Sequence, residues 1–207
     1  MLVYLVRHGE SEGNKKGFHQ SPVVTLTKEG IKQAKSLANR LTNLKIDFIY
    51  SSPQVRAKQT SQIISKKLGV PIEFWENLKE IKKPSEIWGK PVDDDLAMKI
   101  KKLAREDFIK GNKKYSDEET FEELNQRGKN VLDYLLKDHK DQNILCISHS
   151  AMIKMIVGKI IFGKNLTPSE YLNLREHTWL INTGITVCEH TNKWGWTLIS
   201  WNDTTHL

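Results

Sequence analysis

Apolar residues recur along this chain in two rhythms. Residues 2–6, 47–50, 72–75 and 143–148 hold short, mostly apolar runs. The first and last are almost unbroken, which fits strands buried on both faces of a parallel sheet. Between the runs the spacing turns helical: Ile31, Ala34, Leu37, Ala38 and Leu41; then Leu96, Ile100, Leu103 and Phe108; then Phe121, Leu124, Val131, Leu132 and Leu135. Residues 151–162 are apolar nearly all round, which predicts a buried helix. Residues 183–187 and 194–198 read as a hairpin turning at Asn192-Lys193. Strands alternating with helices place the chain in the α/β class, as one domain over 1–207.

Local signals set the expected boundaries. Thr27 suits the N-cap of the first long helix, with Glu29 near its positive end. Ser52 can cap the second, with Pro53 in its first turn. Gly111-Asn112 would stop the helix that begins near Leu96, and Ser116-Asp117-Glu118-Glu119 fits a capping box opening the next. Ser150 can cap the apolar helix. Thr167-Pro168-Ser169-Glu170 leads into a short helix ending near Leu174.

Composition narrows the class. The 207 residues are 38% hydrophobic, enough for a core, and carry 32 basic against 25 acidic side chains, a net charge of +7. That balance steers anionic substrates. The lysine pairs are scattered and not interleaved with aromatics, so nucleic acid is not an expected partner. The apolar stretch 144–162 is broken by His149, Lys154 and Lys159, too polar for a membrane span. The chain opens on a strand, with no signal-peptide pattern, and a cytoplasmic protein is expected. Cys146 and Cys188 lack metal spacing and read as buried reduced thiols. Trp194, Trp196 and Trp201 read as packing residues.

The chemistry gathers at strand ends, where α/β sheets place their sites. Arg7-His8-Gly9 leaves the first strand: a planar fork for phosphate oxygens beside a nitrogen nucleophile. Arg56 then lies one turn into the helix that Ser52 can cap, near its positive end and beside the strand terminus, a natural anion site. His149 leaves the strand at 143–148. Glu76, Glu80 and Glu86 follow the strand at 72–75, and spacing alone does not choose among them.

The motifs Arg7-His8-Gly9-Glu10-Ser11 with Asn14, Ser51-Ser52-Pro53-Gln54-Val55-Arg56-Ala57-Lys58-Gln59-Thr60, the histidine at 149 and Asn182-Thr183-Gly184-Ile185-Thr186 together resemble the histidine phosphatase superfamily, the phosphoglycerate-mutase-like proteins. The likeness covers about 1–80 and 140–190. It implies a three-layer α/β/α sandwich with a mostly parallel central sheet and a helical insertion, about 81–128, capping the active site. It implies a metal-independent phosphomonoester hydrolase working through a phosphohistidine on His8. Glu80 would be the proton donor, with Arg7, Asn14, Arg56, His149 and Ser150 on the phosphate. His149 would act as a charged group in the catalytic set. No cofactor and no metal are called for. The implied partner is a small phosphorylated metabolite, with phosphoproteins the other open class.

Ser148-His149-Ser150 stands where the family more often has Gly-His-Gly. Glu80-Ile81-Lys82-Lys83-Pro84 stands where mutases of the family carry Glu-Arg-His-Tyr-Gly. The second departure favours a phosphatase over the alternative, a phosphoglycerate-type mutase. A third reading, a catalytically silent phosphate-binding module, fits poorly with Arg7, His8, Arg56, Glu80 and His149 all being present.

Overall fold

The computed structural model describes residues 1–110 and 113–207. Six strands form one sheet: β1 (Leu2–Arg7), β2 (Phe48–Ser51), β3 (Ile72–Phe74), β4 (Asn143–Ser148), β5 (Ile185–Thr191) and β6 (Gly195–Asp203). Their order is β3-β2-β4-β1-β5-β6. The first four run parallel, β5 pairs antiparallel with β1, and β6 pairs antiparallel with β5. Seven helices accompany them among the described residues: α1 (Glu12–Lys16), α2 (Lys28–Leu41), α3 (Val55–Leu68), α4 (Asp95–Lys110), α5 (Phe121–Asp138), α6 (Ser150–Phe162) and α7 (Pro168–His177).

Strand alternation divides the core into two layers. Tyr4, Val6, Ile49, Leu145, Ile147 and Ile185 face Leu37, Ala38 and Leu41 of α2 and Ala57 and Ile64 of α3. Val3, Leu5, Tyr50, Ile144 and Cys146 face the other way. They pack on Leu124, Val131 and Leu135 of α5 and on the buried length of α6. Each fully buried leucine in these layers contributes roughly 2 kcal/mol. The result is a mostly parallel sheet between two helical layers, as expected. Cys146 and Cys188 are buried free thiols, and burial pushes both up to about 12.

Several boundaries moved, each for a tertiary or local reason. The helix after 116 opens at Thr120, whose hydroxyl accepts from the Glu123 amide while Glu123 reaches back to the Thr120 amide. Ser116 does not cap it, because the Glu118 carboxylate already collects the Tyr115 and Ser116 amides. Gln54, not Ser52, precedes α3, so Arg56 is the second residue of that helix rather than a turn inside it. His149, not Ser150, holds the cap position of α6. Residues 12–16 close one helical turn, capped by a Ser11–Asn14 box. The hairpin is longer than its two predicted runs. Trp196 and Trp201 pack against the core, whereas Trp194 is exposed. The expected stop at Gly111-Asn112 lies outside the described residues.

Helix α4 packs on α7 and on the turn at 85–87. Phe108 meets Phe121 and Tyr171 at ring separations of 5.7 Å, which ties this region to the α5–α7 side of the core.

Candidate active site

Four parallel strands deliver their carboxyl ends to one edge of the sheet. In the β1–β4 register Arg7 stands opposite Ser148, so the next residues, His8 and His149, emerge side by side. Their rings lie 5.0 Å apart. The ladder continues past the strands, with the His8 amide donating to Ser148 O at 3.0 Å and the Ser52 amide to Ile147 O at 2.9 Å. Strand β2 therefore brings Ser52 and, through α3, Arg56. Strand β3 and the turn after it bring Glu80.

His8 is buried, and its Nδ1 sits 2.7 Å from its neighbour's carbonyl, Gly9 O. A carbonyl only accepts, so the proton is on Nδ1 and the lone pair is on Nε2. Arg56 Nε lies 3.2 Å from that Nε2. Burial first, then Arg56 and Arg7, hold the His8 pKa well below the ordinary histidine value, so the ring is a neutral base at neutral pH. The loop that presents it is closed tightly. A Cβ on Gly9 would stand 2.5 Å from Gly30 O, and one on Gly30 would stand 2.0 Å from Glu10 O. The Gly9 amide is held by Thr60 Oγ1, which itself donates to Arg56 O. One hydroxyl thus joins the His8 loop to the Arg56 helix.

The two arginines are oriented by backbone and left partly open. Arg56 Nη1 donates to Ser21 O and Nη2 to Gln54 Oε1. Arg7 Nη1 donates to Leu180 O, while Arg7 Nε is buried without a partner. Burial lowers both, Arg56 to about 10, and the Glu80 charge partly offsets it. His149 is fully buried; Ser52 Oγ lies 2.8 Å from its Nε2, and its Nδ1 has no partner. Burial, then Arg56 and His8, push its pKa well below the ordinary value. Burial and the neighbouring cations thus favour the neutral form of the His149 ring, which was expected as a charged group.

Glu80 lies across the cleft. Its Oε1 accepts from the Ile81 amide at 3.0 Å and from the Ala151 amide at 3.1 Å, in the first turn of α6. Two backbone bonds fix that oxygen, leaving Oε2 for the cleft. Glu76 also lines the cleft, but it is engaged by Lys79; Glu86 does not line it. Geometry therefore separates the three glutamates that spacing left open. Asn14 lines the cleft, its Oδ1 accepting from Ser11 N and Asn182 Nδ2. Ser150 opens α6 as its first residue, with no capping bond at that end of the helix.

The cleft encloses about 750 Å³. Arg7, Arg56, Lys79, Lys82 and Lys83 line it against Glu76 and Glu80. Among the described residues no three His, Cys, Asp or Glu side chains group as a metal site.

Sequence reading missed several of these residues. Asn182 donates to His8 O at 2.8 Å and to Asn14, bridging the last family-like motif to the first. Arg127 pairs with Glu119 through Nε at 2.6 Å and Nη2 at 2.7 Å, and its Nη1 donates to the Asn77 and Lys79 carbonyls. It thereby braces the segment that carries Glu80. His19 and Lys83 also line the cleft. Asn182 could have been found from its motif; the other three carry no local signal.

The chain matches the family model described as histidine phosphatase superfamily, branch 1, over residues 3–204. It is 34% identical over 158 residues to a putative phosphoserine phosphatase 2 of Hydrogenobacter thermophilus, covering 75% of this chain and 76% of that protein. It is 29% identical to a probable phosphoglycerate mutase of Salmonella arizonae, covering 100% of this chain and 95% of that one. It spans between 28% and 36% of the length of some longer curated relatives. Two crystal structures of an Entamoeba histolytica phosphoserine phosphatase superpose closely. A histidine-to-alanine mutant in complex with phosphoserine gives a TM-score of 0.80 at 28% identity, covering 100% of this chain and 98% of that one. The complex with 3-phosphoglyceric acid gives 0.78 at 27%, covering 99% and 98%. This chain belongs to the histidine phosphatase superfamily, and it is a phosphatase of that type.

Proposed function

We propose that the protein hydrolyses small phosphomonoesters through a phosphohistidine formed on His8 Nε2. The observation that carries this reading is the His8 geometry. Its Nδ1 proton is committed to Gly9 O at 2.7 Å, its ring is kept neutral, and its Nε2 lone pair accepts from Arg56 Nε at 3.2 Å. The nucleophile needs no activating base, because burial and two arginines already keep it unprotonated. Arg7 and Arg56 stabilise the equatorial oxygens of the transferring group, with Asn14 beside them. With the Ser52 hydroxyl donating to Nε2, neutral His149 carries its proton on Nδ1, the buried atom that lacks a partner, and offers it to the phosphate. Glu80 protonates the departing alkoxide and then takes a proton from the water that attacks the phosphohistidine.

The relatives support a small phosphorylated substrate. Solved neighbours hold phosphoserine and 3-phosphoglyceric acid. The full-length likeness to a probable phosphoglycerate mutase keeps one second reading, transfer of the phosphoryl group back to the product. The insertion at about residues 81–128 acts as the cap, setting which esters enter.

Steady-state hydrolysis of p-nitrophenyl phosphate in EDTA tests the phosphatase reading. Turnover that persists in EDTA and stops with vanadate supports it. Turnover lost in EDTA and restored by Mg²⁺ or Zn²⁺ rejects it. Isomerisation of 3-phosphoglycerate with trace bisphosphoglycerate, faster than release of phosphate, would instead favour the mutase.

A further inference from the structure

We propose that residues 203–206 form a strap that positions the nucleophile loop: Arg40 clasps the strap to α2, and His206 braces the turn at Thr183 that carries Asn182 to His8. This rests on His8 being the nucleophile, and it makes His206 a positioning residue outside the cleft.

The turn needs a brace. Thr183 is fully buried with a φ of 63°, in the left-handed region that a β-branched residue rarely adopts. Such a conformation is costly and persists only where its surroundings over-determine it. This turn reaches the catalytic loop at three points. The Thr183 amide donates to Arg7 O at 2.9 Å, and Asn182 Nδ2 donates to His8 O at 2.8 Å and to Asn14 Oδ1 at 3.2 Å. Relaxation of Thr183 toward ordinary backbone angles would carry Asn182 away from both partners.

His206 meets this turn through its side chain. Its Nε2 lies 3.1 Å from Thr183 Oγ1. That hydroxyl has one proton and donates it to Asn182 O at 2.6 Å, so it accepts from His206 and the ring proton is on Nε2. The other ring nitrogen, Nδ1, faces Arg40 Nη1 at 3.5 Å. A guanidinium only donates, so this contact selects the same tautomer. Burial, then Arg40, lower the His206 pKa against the opposing Asp203 charge, and the ring is neutral at neutral pH. The donors thus point one way, from Arg40 to His206 to Thr183 to Asn182 O. Arg40, Thr183, Asp203 and His206 are absent from the cleft lining, and the phosphoryl chemistry uses none of them.

The strap is held at several points. Arg40 takes both carboxylate oxygens of Asp203, Nη1 donating to Oδ1 at 3.1 Å and Nη2 to Oδ2. This bidentate pair holds the Asp203 carboxyl well below the usual carboxylate range. The Thr205 amide returns to Asp203 Oδ1 at 3.0 Å, and Ser36 Oγ donates to His206 O. Gln33 of the same helix accepts the Glu10 amide at 2.8 Å. Gln33, Ser36 and Arg40 follow helical spacing along one face of α2. One helix face therefore holds the nucleophile loop directly at Glu10 and, through the strap, at His8.

Rate and binding separate positioning from general damage. Rapid-quench phosphorylation by p-nitrophenyl phosphate reads the first, and calorimetry with inorganic phosphate reads the second. His206→Ala should slow single-turnover phosphorylation about tenfold or more while phosphate affinity changes less than about threefold. His206→Gln, whose side-chain amide can donate to Thr183 Oγ1, should recover most of the rate. Thr183→Val removes the accepting oxygen at nearly constant shape; on that background His206→Ala should cost no further rate. The ring ¹⁵N shifts of His8 read its placement without turnover; they should move in His206→Ala and return in His206→Gln. Should His206→Ala fail to fold, Asp203→Asn loosens the Arg40 clasp at constant shape and should change rate, affinity and His8 shifts in the same directions. Wild-type phosphorylation and His8 shifts in folded His206→Ala overturn the strap. So does a loss that glutamine does not recover, a loss shared equally by rate and phosphate affinity, or losses that multiply in the double variant. If the His8 shifts respond as expected while wild-type protein forms no phosphohistidine, the strap stands and the nucleophile reading falls.

Discussion

Glu80→Gln should separate substrates by leaving group. In the native site one oxygen of Glu80 accepts from the Ile81 and Ala151 amides at 3.0 and 3.1 Å. A glutamine carbonyl oxygen keeps both bonds, so the chain should fold and the cleft should keep its shape. What is lost is the capacity of the other oxygen to pass a proton to the leaving group. General acid catalysis contributes roughly 10²- to 10⁴-fold, or about 2.7–5.5 kcal/mol of barrier. An alkyl phosphate, whose alkoxide is strongly basic, should lose that whole factor. p-Nitrophenyl phosphate, whose phenolate departs unprotonated, should lose less than about tenfold in the same step. Because Glu80 also acts on water in the second step, steady-state rates blend the two. Rapid-quench, single-turnover phosphorylation of the enzyme by each ester isolates the first. Equal losses for both esters, or none for either, would remove Glu80 from the acid role and promote Glu76, the other glutamate lining the cleft.

Arg127→Met should act on the same residue at a distance. It strands the Glu119 carboxylate and the Asn77 and Lys79 carbonyls, costing about 3 kcal/mol in chemical unfolding, and should slow alkyl esters more than aryl esters; a uniform slowing would make it merely structural. Protonation of His149 should weaken the fold in acid. Its folded pKa lies below its unfolded one, so the unfolded chain binds more protons and the stabilisation present above about pH 6.5 is lost as pH falls. Wild-type protein should therefore lose more stability than His149→Gln between pH 7.5 and 5.5 in urea titrations, by at most about 1.4 kcal/mol; parallel pH profiles would contradict a neutral buried His149.

The strands and long helices were legible because their apolar periodicity and their burial have the same cause. Residues 2–6 and 144–147 are apolar throughout because both faces of β1 and β4 are covered. Arg7, His8, Arg56 and His149 were legible because each follows directly from a strand end or a helix start. The sheet order was not readable, since no local pattern says that β4 inserts between β2 and β1. Caps failed where a tertiary or competing local bond won. Ser52 serves His149, and Glu118 takes the amides near Ser116 that a cap would have ordered. Lys83 and His19 were invisible as neighbours in the cleft because they lie 64 residues apart, one in a charge-rich stretch that reads as solvated surface. Arg127 carries no signal in the sequence; only the fold turns it toward the segment carrying Glu80.

The claim on which the account turns is the nucleophile. Wild-type protein mixed with ³²P-labelled phosphoester and quenched in base within milliseconds should retain label that is base-stable and acid-labile. Peptide mapping should place that label on His8, and His8→Ala should retain none. Label on any other residue, or multiple turnovers by His8→Ala at the wild-type rate, would contradict it.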